Sequence, residues 1–357
     1  MPYDPTPHLN FASDNAGPVH PRIFEALAEA NAGHALPYGA DPWTARAVEA
    51  VRTVFEAPEA EVCLVPTGIA ANALALSCAV RPWQQIFCSE IAHIEVDERG
   101  AVSLASGGAD LALLPVPHGR IDRDALKARV AGSEAARRGA VSITQVTEAG
   151  TLYARADVAA LAACAHAYAM PLHMDGARWS NAVTALGCTP AEMTWRAGVD
   201  MLSLGATKAG LMGAEAVVFF DPALAAEADT QRLRMGLSLS KQRYLGAQIA
   251  AWLAGGPGDG LWREMAQAAN AAAARLATGL TAIEGVTLDH PCEANILFAR
   301  LPEALHRTLI EAGAIYYATQ PTPTDLARGE ARIRVRLVCD WSADDARVDA
   351  FLAAAGA

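Results

Sequence analysis

The sequence predicts an α/β protein with a mostly parallel central sheet, helices on both faces, and a smaller α+β C-terminal domain. Short β-rich runs alternate with alanine-rich helical runs, an order typical of β–α–β units. Residues 255–260 read Gly-Gly-Pro-Gly-Asp-Gly, which favours turns and interrupts that order. We therefore expect a large domain over residues 15–258 and a small domain over residues 259–357, with residues 1–14 associated with the small domain.

The individual elements follow from local patterns. Six apolar, β-rich runs predict the strands of the large domain, at residues 62–66, 85–88, 140–144, 171–174, 201–204 and 216–220. Apolar residues at helical spacing predict helices over residues 43–56, 69–80 and 157–168, the last opened by an Asp of N-cap type. Beyond the turn-rich break, a helix over residues 262–280, strands over residues 295–300 and 333–338, and a terminal helix are predicted.

Composition limits the classes of function. The chain has 357 residues and a formal net charge of -11 with both signs interspersed, which disfavours a nucleic-acid partner. It shows no apolar run of the ~18–20 residues that a membrane span needs and no secretory signal, so we expect a cytoplasmic protein without a membrane partner. The seven cysteines lack C-x-x-C pairs and are interpreted as small apolar residues in a reducing compartment.

The most informative residues are a carboxylate and a lysine that follow two successive predicted strands. Asp175 comes directly after the strand 171–174, and Lys208 follows the strand 201–204 among small residues. The carboxyl ends of parallel strands are where such sheets gather ligands. A lysine amine can condense with an aldehyde, and a carboxylate can keep a pyridine nitrogen protonated. The pair therefore predicts a site for a pyridine aldehyde cofactor.

A third feature suits the phosphate of such a cofactor. Thr67, Gly68 and Ile69 form a turn between the strand 62–66 and the helix 69–80. The N–H groups at the start of a helix have no partners within it and bind anions. A Thr-Gly turn is often merely structural, so its weight here comes from its combination with Lys208 and Asp175.

Seven segments in order resemble the threonine aldolase family of fold-type-I pyridoxal-phosphate enzymes, especially its low-specificity L-threonine aldolase and phenylserine aldolase branch. They are residues 12–15 (Ala-Ser-Asp-Asn), 38–42 (Tyr-Gly-Ala-Asp-Pro), 65–72 (Val-Pro-Thr-Gly-Ile-Ala-Ala-Asn), 92–94 (Ala-His-Ile), 173–178 (His-Met-Asp-Gly-Ala-Arg), 207–215 (Thr-Lys-Ala-Gly-Leu-Met-Gly-Ala-Glu) and 336–338 (Arg-Leu-Val). The resemblance implies an aspartate-aminotransferase-like fold, pyridoxal 5′-phosphate as cofactor, and retro-aldol cleavage of a β-hydroxy-α-amino acid to glycine and an aldehyde. Threonine, allo-threonine and phenylserine are the implied kinds of substrate.

The resemblance also implies which residues hold the cofactor. Lys208 would carry it as a Schiff base, and Asp175 would pair with its pyridine nitrogen. His93 would stack on the ring and take part in proton transfer. The remaining residues implied to contact the cofactor are Thr67, Gly68 and Ile69 at the phosphate, together with Arg178 and Arg243.

For the substrate, the resemblance implies a set of anchoring groups. Ser13, Arg178 and Arg336 match the residues that hold the substrate carboxylate. Tyr38 and Arg243 fall where a neighbouring subunit completes the site in this family, which implies a homodimer or homotetramer with shared active sites. No metal ligand is implied.

Two positions depart from the family pattern. Ile69 stands where a hydroxyl residue usually follows the phosphate-loop glycine, so one hydrogen bond to the phosphate is missing. Residues 145–153 read Gln-Val-Thr-Glu-Ala-Gly-Thr-Leu-Tyr, in a stretch where many members carry a histidine that contacts the substrate hydroxyl. We therefore expect Glu148 or His93 to act as the base, and threonine itself is not assured as a substrate.

Other interpretations stay open. Without the resemblance, each of these residues has an ordinary structural interpretation. His93 could be a core or surface histidine, and Arg336 could lie on the polar face of a strand. Arg178 could form a structural ion pair, Ser13 could cap a helix or turn, and Tyr38 could pack within a loop. The rival functions are another pyridoxal-phosphate reaction (β-elimination, racemisation or amino transfer), a cofactor-binding protein with little turnover, and an α/β enzyme without this cofactor. A metal site at His166, His173 and Asp175 matches no zinc spacing, and a dinucleotide site lacks the G-x-G-x-x-G turn.

Overall fold

The computed structural model describes residues 9–321 and 332–356, and a seven-stranded sheet forms the centre of this part. Its strands are β1 (Glu61–Val65), β2 (Gln85–Ser89), β3 (Asp110–Leu114), β4 (Arg138–Thr144), β5 (Leu172–Gly176), β6 (Met201–Leu204) and β7 (Glu215–Phe219). They lie in the order β1-β7-β6-β5-β4-β2-β3. The five neighbouring strands β3, β2, β4, β5 and β6 are parallel, whereas β7 runs antiparallel to both β6 and β1. The prediction of a mostly parallel α/β sheet is confirmed.

The six predicted strands are all present, with ends that differ by at most two residues. β3 was not predicted; it lies at the edge of the sheet and is only partly buried. The central strand β5, by contrast, is buried at every position.

Helices cover the sheet and connect its strands. The α-helices are Pro21–Ala30, Pro42–Val54, Gly68–Ala79, His93–Val96, Ala101–Ser106, Arg123–Ala131, Arg155–His166, Trp179–Leu186, Pro190–Met193, Ala228–Arg234, Arg243–Leu253, Leu261–Thr281, Glu303–Glu311 and Asp345–Ala354. Short 3-10 turns occur at Asp14–Ala16, Pro117–Gly119, Ala135–Arg137, Trp195–Ala197, Thr207–Ala209 and Pro222–Ala225. Within the part of the chain that the structure describes, no helix combines the length and apolar character of a transmembrane segment.

A second, smaller sheet follows the long helix Leu261–Thr281. Its antiparallel strands β8 (Thr287–Leu288), β9 (Ile296–Pro302), β10 (Tyr317–Thr319) and β11 (Arg332–Val338) lie in the order β10-β11-β9-β8. The predicted strands 295–300 and 333–338 correspond to β9 and β11. The strands β8 and β10 are two and three residues long, too short for a recognisable pattern.

The long helix contributes to both hydrophobic cores. Trp262 and Met265 near its start pack into the core of the large sheet, whereas Leu276 and Leu280 near its end pack into the core of the small sheet. The boundary between residues 258 and 259 therefore stays a prediction. Phe11 packs into the second core and its N–H donates to the carbonyl of Ile315, while residues 1–8 of the predicted N-terminal association lie outside the described residues.

Candidate active site

Asp175 and Lys208 line one cavity of about 300 Å³ at the carboxyl ends of β5 and β6. Asp175 is the register partner of Ser203 on β6, and Lys208 follows in the turn Thr207–Ala209. The two loops pack closely, since a Cβ built on Gly205 would lie 2.5 Å from the Cα of Ala177. Only glycine allows this approach. The structure thus brings Asp175 and Lys208 to one cavity, while their roles stay a prediction.

The amine of Lys208 is buried in a mixed electrostatic environment. Burial and the charge of Arg178 lower its pKa, and the carboxylates of Asp14, Asp175 and Glu215 partly oppose that effect. A lysine amine must be neutral to attack a carbonyl carbon. The surroundings therefore favour the nucleophilic form of this side chain.

The carboxylate of Asp175 is buried, with a residue exposure of 5%, and is held by two donors. Its Oδ2 accepts a hydrogen bond from Nδ2 of Asn72 at 2.9 Å, and its Oδ1 accepts one from the N–H of Ala177 at 2.9 Å. Each carboxylate oxygen can accept a second hydrogen bond, so the group can still receive an N–H from a ligand. Its orientation toward the cavity is fixed in advance.

The helix Gly68–Ala79 points its N-terminus at the same cavity. Thr67 caps this helix, because its Oγ1 accepts a hydrogen bond from the N–H of Ala70 at 3.2 Å. Thr67, Gly68 and Ile69 line the cavity, and the Ile69 side chain is 41% exposed. The first N–H groups of a helix are unpaired within it and carry partial positive charge. They are suited to a phosphate.

These features fit pyridoxal 5′-phosphate. A buried amine, a buried carboxylate and a helix N-terminus line one cavity, and each matches a different functional group of that cofactor: the aldehyde, the pyridine nitrogen and the phosphate. Among residues 9–321 and 332–356, no group of three metal-ligating side chains is found.

Two arginines lie close enough to affect each other's charge but have different partners. Arg178 lines a smaller cavity that Asp175 and Lys208 also line, whereas Arg336 is not among the residues that line either cavity. Arg178 forms a bidentate ion pair with Asp14, from Nε at 2.6 Å and from Nη2 at 2.9 Å. Arg336 donates from Nη2 to the carbonyl of Ala12 at 3.0 Å, but its buried Nε has no partner among the described residues. Burial and the charge of Arg178 lower the pKa of Arg336. Arg336 therefore keeps one hydrogen-bond donor, Nε, without a partner among the described residues, and it lies near the positive charge of Arg178.

His93 and Glu148 form the opposite wall. The backbone N–H of His93 donates to Oε1 of Glu148 at 3.0 Å, and the hydroxyl of Thr144 donates to the same oxygen at 2.7 Å. The other oxygen, Oε2, is buried and has no partner within the described part of the chain. Burial raises the pKa of Glu148. A smaller cavity of about 60 Å³ joins these side chains to Lys208 and Arg178.

Three predicted site residues lie away from the cavity of their own chain. Ser13 caps the turn Asp14–Ala16, its Oγ accepting from the N–H of Asn15 at 3.2 Å. Tyr38 is 61% exposed, and Arg243 donates to the carbonyl of Gly33 at 3.1 Å. None of the three is among the cavity-lining residues, and neither is Arg336, so the roles of all four stay predictions.

The histidines of the rival metal interpretation serve other purposes. His173 lies between the hydroxyls of Ser142 and Ser203, at 2.9 Å from each, and burial lowers its pKa to about 4. It is therefore a neutral core residue. His166 pairs with Asp200 at 2.8 Å on a different face of the protein.

The sequence analysis missed several polar residues that support the site. They are Asp14 under Arg178, Asn72 under Asp175, Glu98 under His93, Glu215 under the Lys208 turn, and Asn295, which donates to Asp14 at 3.2 Å. Asn72 had a signal: it is a single amide in the otherwise apolar helical run at residues 69–76. Asp14 and Asn295 have no local pattern, because their partners come from distant parts of the chain.

Comparisons with known proteins agree with this geometry. The family model described as beta-eliminating lyase matches residues 10–302. A low specificity L-threonine aldolase of Pseudomonas aeruginosa is 39% identical over 343 residues, which cover 95% of this chain and 94% of the relative. The structure of Leishmania major threonine aldolase matches with a TM-score of 0.89 at 26% identity, covering 97% of this chain and 98% of the other. Sphingomonas wittichii serine palmitoyltransferase (TM-score 0.71, 15% identity, 97% and 86% covered) shares the fold. The chain therefore belongs to the beta-eliminating lyase family and, within it, to the family of the low specificity L-threonine aldolases.

Proposed function

We propose that this protein is a pyridoxal-phosphate-dependent carbon–carbon lyase that cleaves β-hydroxy-α-amino acids of the threonine, allo-threonine or phenylserine type into glycine and an aldehyde. The observation that carries the proposal is the shared cavity of Lys208, Asp175 and the helix Gly68–Ala79. Membership of the aldolase family and the unused donor of Arg336 support it. When bound, the cofactor supplies an electron sink for the pair of electrons left by the breaking bond.

The residues of this chain would divide the work of binding. Lys208 would attach the cofactor through its amine, and Asp175 would hold a proton at the pyridine nitrogen. The N–H groups at the start of the helix Gly68–Ala79 would bind the phosphate. Arg336 would bind the substrate carboxylate with its fork of donors and so fix the orientation of the substrate about Cα. The Cα–Cβ bond is the one that breaks.

The proton of the substrate β-hydroxyl must leave as that bond breaks. His93 and Glu148 are the groups on the wall of the cavity that can accept it. Oε2 of Glu148 has no protein partner among the described residues and is free to contact the hydroxyl oxygen. The aldehyde then departs, and Cα receives a proton to give glycine. A positioned acid or base of this kind contributes roughly 10²- to 10⁴-fold to a rate.

The proposal is tested with the purified protein and Lys208→Ala. The wild-type protein should show a visible absorbance band, borohydride should fix the cofactor on Lys208, and phenylserine should yield benzaldehyde and glycine. Lys208→Ala should lack the band and the activity, whereas Lys127→Ala, which changes an exposed lysine, should keep both. A visible band and aldehyde release that survive in Lys208→Ala would refute the assignment.

A second reaction is favoured by one observation. Because burial raises the pKa of Glu148, this side chain is more readily protonated than an exposed glutamate. A protonated carboxyl could instead give its proton to the departing hydroxyl while the amine of Lys208 takes the proton from Cα, so that the Cβ–O bond breaks and water leaves by β-elimination. Water would then hydrolyse the released unsaturated amine to a 2-oxo acid and ammonia. The products distinguish the two reactions: glycine and an aldehyde for the aldolase, a 2-oxo acid and ammonia for the elimination.

We also infer a homodimer or homotetramer in the cytoplasm. Tyr38 and Arg243 lie outside the cavity of their own chain, as expected if they complete the site of a neighbouring copy. The seven cysteines, all within the described residues, are free, which suits a reducing compartment. Mixing inactive Lys208→Ala with inactive Tyr38→Ala should restore about a quarter of wild-type activity if mixed dimers contain one native site. Absence of recovery after subunit exchange would argue against sharing.

A further inference from the structure

Behind the wall of the cavity lies a carboxylate that the proposed mechanism does not use. Glu98 lies just after the short helix His93–Val96, and its side chain is fully buried. Its Oε1 lies 2.8 Å from Nδ1 of His93 and accepts a hydrogen bond from Nδ2 of Asn72 at 2.8 Å. Its Oε2 is buried without a partner among the described residues. Burying a carboxylate costs free energy, so its position calls for a reason.

Asn72 links this carboxylate to the one that lines the cavity. Its Nδ2 carries two hydrogens, of which one is donated to Glu98 and the other to Oδ2 of Asp175. The chain of contacts is therefore His93–Glu98–Asn72–Asp175. It joins a ring on the cavity wall to a carboxylate on the cavity floor through groups that are themselves buried.

The contact with Glu98 decides which nitrogen of His93 carries the proton. A carboxylate oxygen has no proton to give, so at 2.8 Å the neutral imidazole must donate from Nδ1. Its lone pair is then on Nε2, the nitrogen that does not face Glu98. This arrangement matches the general rule that the partner of one ring nitrogen sets the role of the other.

We propose that Glu98 is a positioning residue that fixes His93 in its Nδ1–H tautomer, strengthens Nε2 as a base toward the substrate hydroxyl, and aligns Asp175 through Asn72. The proposal rests on the function proposed above for its catalytic consequence, but the tautomer itself does not depend on that function. The hydrogen bond that Nδ1 of His93 donates to Glu98 also raises the pKa of His93 against the opposing effect of burial. The other charged groups that face His93 are Asp175, Lys208 and Glu148.

The first test measures the ring directly. The signals of His93 in full-length protein with ¹⁵N-labelled histidine are identified by their loss in His93→Asn. At a pH above the titration midpoint of the ring they should show a protonated Nδ1 and an unprotonated Nε2. In Glu98→Gln, which has the same shape without the charge, the titration midpoint of His93 should move to lower pH. Glu95→Gln, an exposed neighbour on the same short helix, should leave it unchanged.

The second test measures the consequence for catalysis. With phenylserine, Glu98→Gln should lower kcat on the order of 10- to 100-fold and move the acidic limb of the kcat/KM profile to lower pH, while Glu95→Gln keeps the wild-type profile. The Nδ1-unprotonated tautomer in the wild-type protein, or an unmoved His93 midpoint in Glu98→Gln, would overturn the proposal. If Glu98→Gln does not fold, the wild-type tautomer alone decides. A correct tautomer in a protein that releases no aldehyde would instead refute the proposed function and leave the role of Glu98 standing.

Discussion

Asp14 and Arg178, 164 residues apart in sequence, form a bidentate ion pair next to the cavity that holds Lys208. The side chains are 1% and 12% exposed, so the pair is almost completely removed from water. Two of the donor nitrogens of Arg178 are occupied by Asp14, and a substrate carboxylate would have to share the remaining ones. We therefore propose that Arg336 makes the main contact with the substrate carboxylate and that Arg178 has a supporting role.

Asp14→Asn should destabilise the protein, because it leaves the buried charge of Arg178 without its counter-ion. Removing one partner of a buried pair costs about 3 kcal/mol or more of unfolding free energy. Urea denaturation at neutral pH measures this loss. The exposed pair of Glu303 and Arg307 is the matched control, since Glu303→Gln should change the unfolding free energy by less than about 0.5 kcal/mol.

The effect of Asp14 should also depend on pH. Burial alone would raise the pKa of Asp14, but the charge and hydrogen bonds of Arg178 outweigh it and hold the pKa below the ordinary value. A carboxyl with a lowered folded-state pKa stabilises the fold above its unfolded pKa and loses that contribution as pH falls. The difference between wild type and Asp14→Asn should therefore narrow in acid. A constant difference from neutral to strongly acidic pH would contradict this account.

Arg336→Lys should weaken substrate binding through loss of the bidentate fork while keeping the charge. A substrate carboxylate would accept a hydrogen bond from Nε of Arg336, which has no partner among the described residues. A lysine has no group in the position of this Nε–H. We expect KM for phenylserine to rise roughly 10-fold or more, which corresponds to one charged hydrogen bond. Arg334→Lys changes an arginine two residues away that pairs with Asp289, and should leave KM unchanged.

An amino alcohol without the carboxylate separates this role from general damage. Its affinity should be the same for wild type and Arg336→Lys, because it offers nothing for the fork to bind. Equal weakening of both compounds would show that Arg336 acts only through the structure of the cavity wall.

The parts of the site that follow a strand or open a helix could be predicted from the sequence. Asp175 and Lys208 each follow an apolar run, and Thr67 precedes one, so their positions are determined by short local patterns. The sheet likewise imposes its pattern on its central strands, whereas β3, β8 and β10 are short or lie at an edge.

The supporting residues could not be predicted for a physical reason. Asp14 meets Arg178 and Asn295 only after three distant segments have folded together, and no local pattern records such a meeting. The arginine at position 178 shows the same limit. Its position in the sequence is compatible both with binding the substrate carboxylate and with a structural ion pair. Its partner, Asp14, is evident only from the fold.

Glu215 should make the stability of the protein fall between about pH 5 and about pH 8. Burial raises its pKa to about 7, although its oxygens accept from the N–H groups of Ala206 and Thr207. The folded state therefore binds this proton more tightly than the unfolded state, and the stability present below the ordinary carboxyl pKa is lost as pH rises through 7. The rise from 4.5 to about 7 corresponds to roughly 3 kcal/mol, an order-of-magnitude figure.

Glu215→Gln should remove that pH dependence. Between about pH 5 and about pH 8, the unfolding free energy of this variant, measured by urea denaturation, should fall less than that of the wild type. Glu61→Gln, an exposed glutamate on β1, should behave like the wild type. Identical pH dependence in Glu215→Gln and wild type would show that Glu215 stays ionised throughout this range.

Ile69→Thr should tighten cofactor binding. Ile69 lies in the first turn of the phosphate-facing helix and lines the cavity, but its side chain has no donor for a phosphate oxygen. Threonine is smaller by one methyl group but adds a hydroxyl, and one such hydrogen bond contributes about 0.5–1.5 kcal/mol. The dissociation constant of pyridoxal 5′-phosphate should therefore fall about two- to tenfold, as measured by absorbance titration. Ile69→Val has the shape of threonine without its hydroxyl, so any gain that it shares with Ile69→Thr comes from space rather than from hydrogen bonding. Equal affinities for the threonine and valine variants would mean that the phosphate does not lie within reach of position 69.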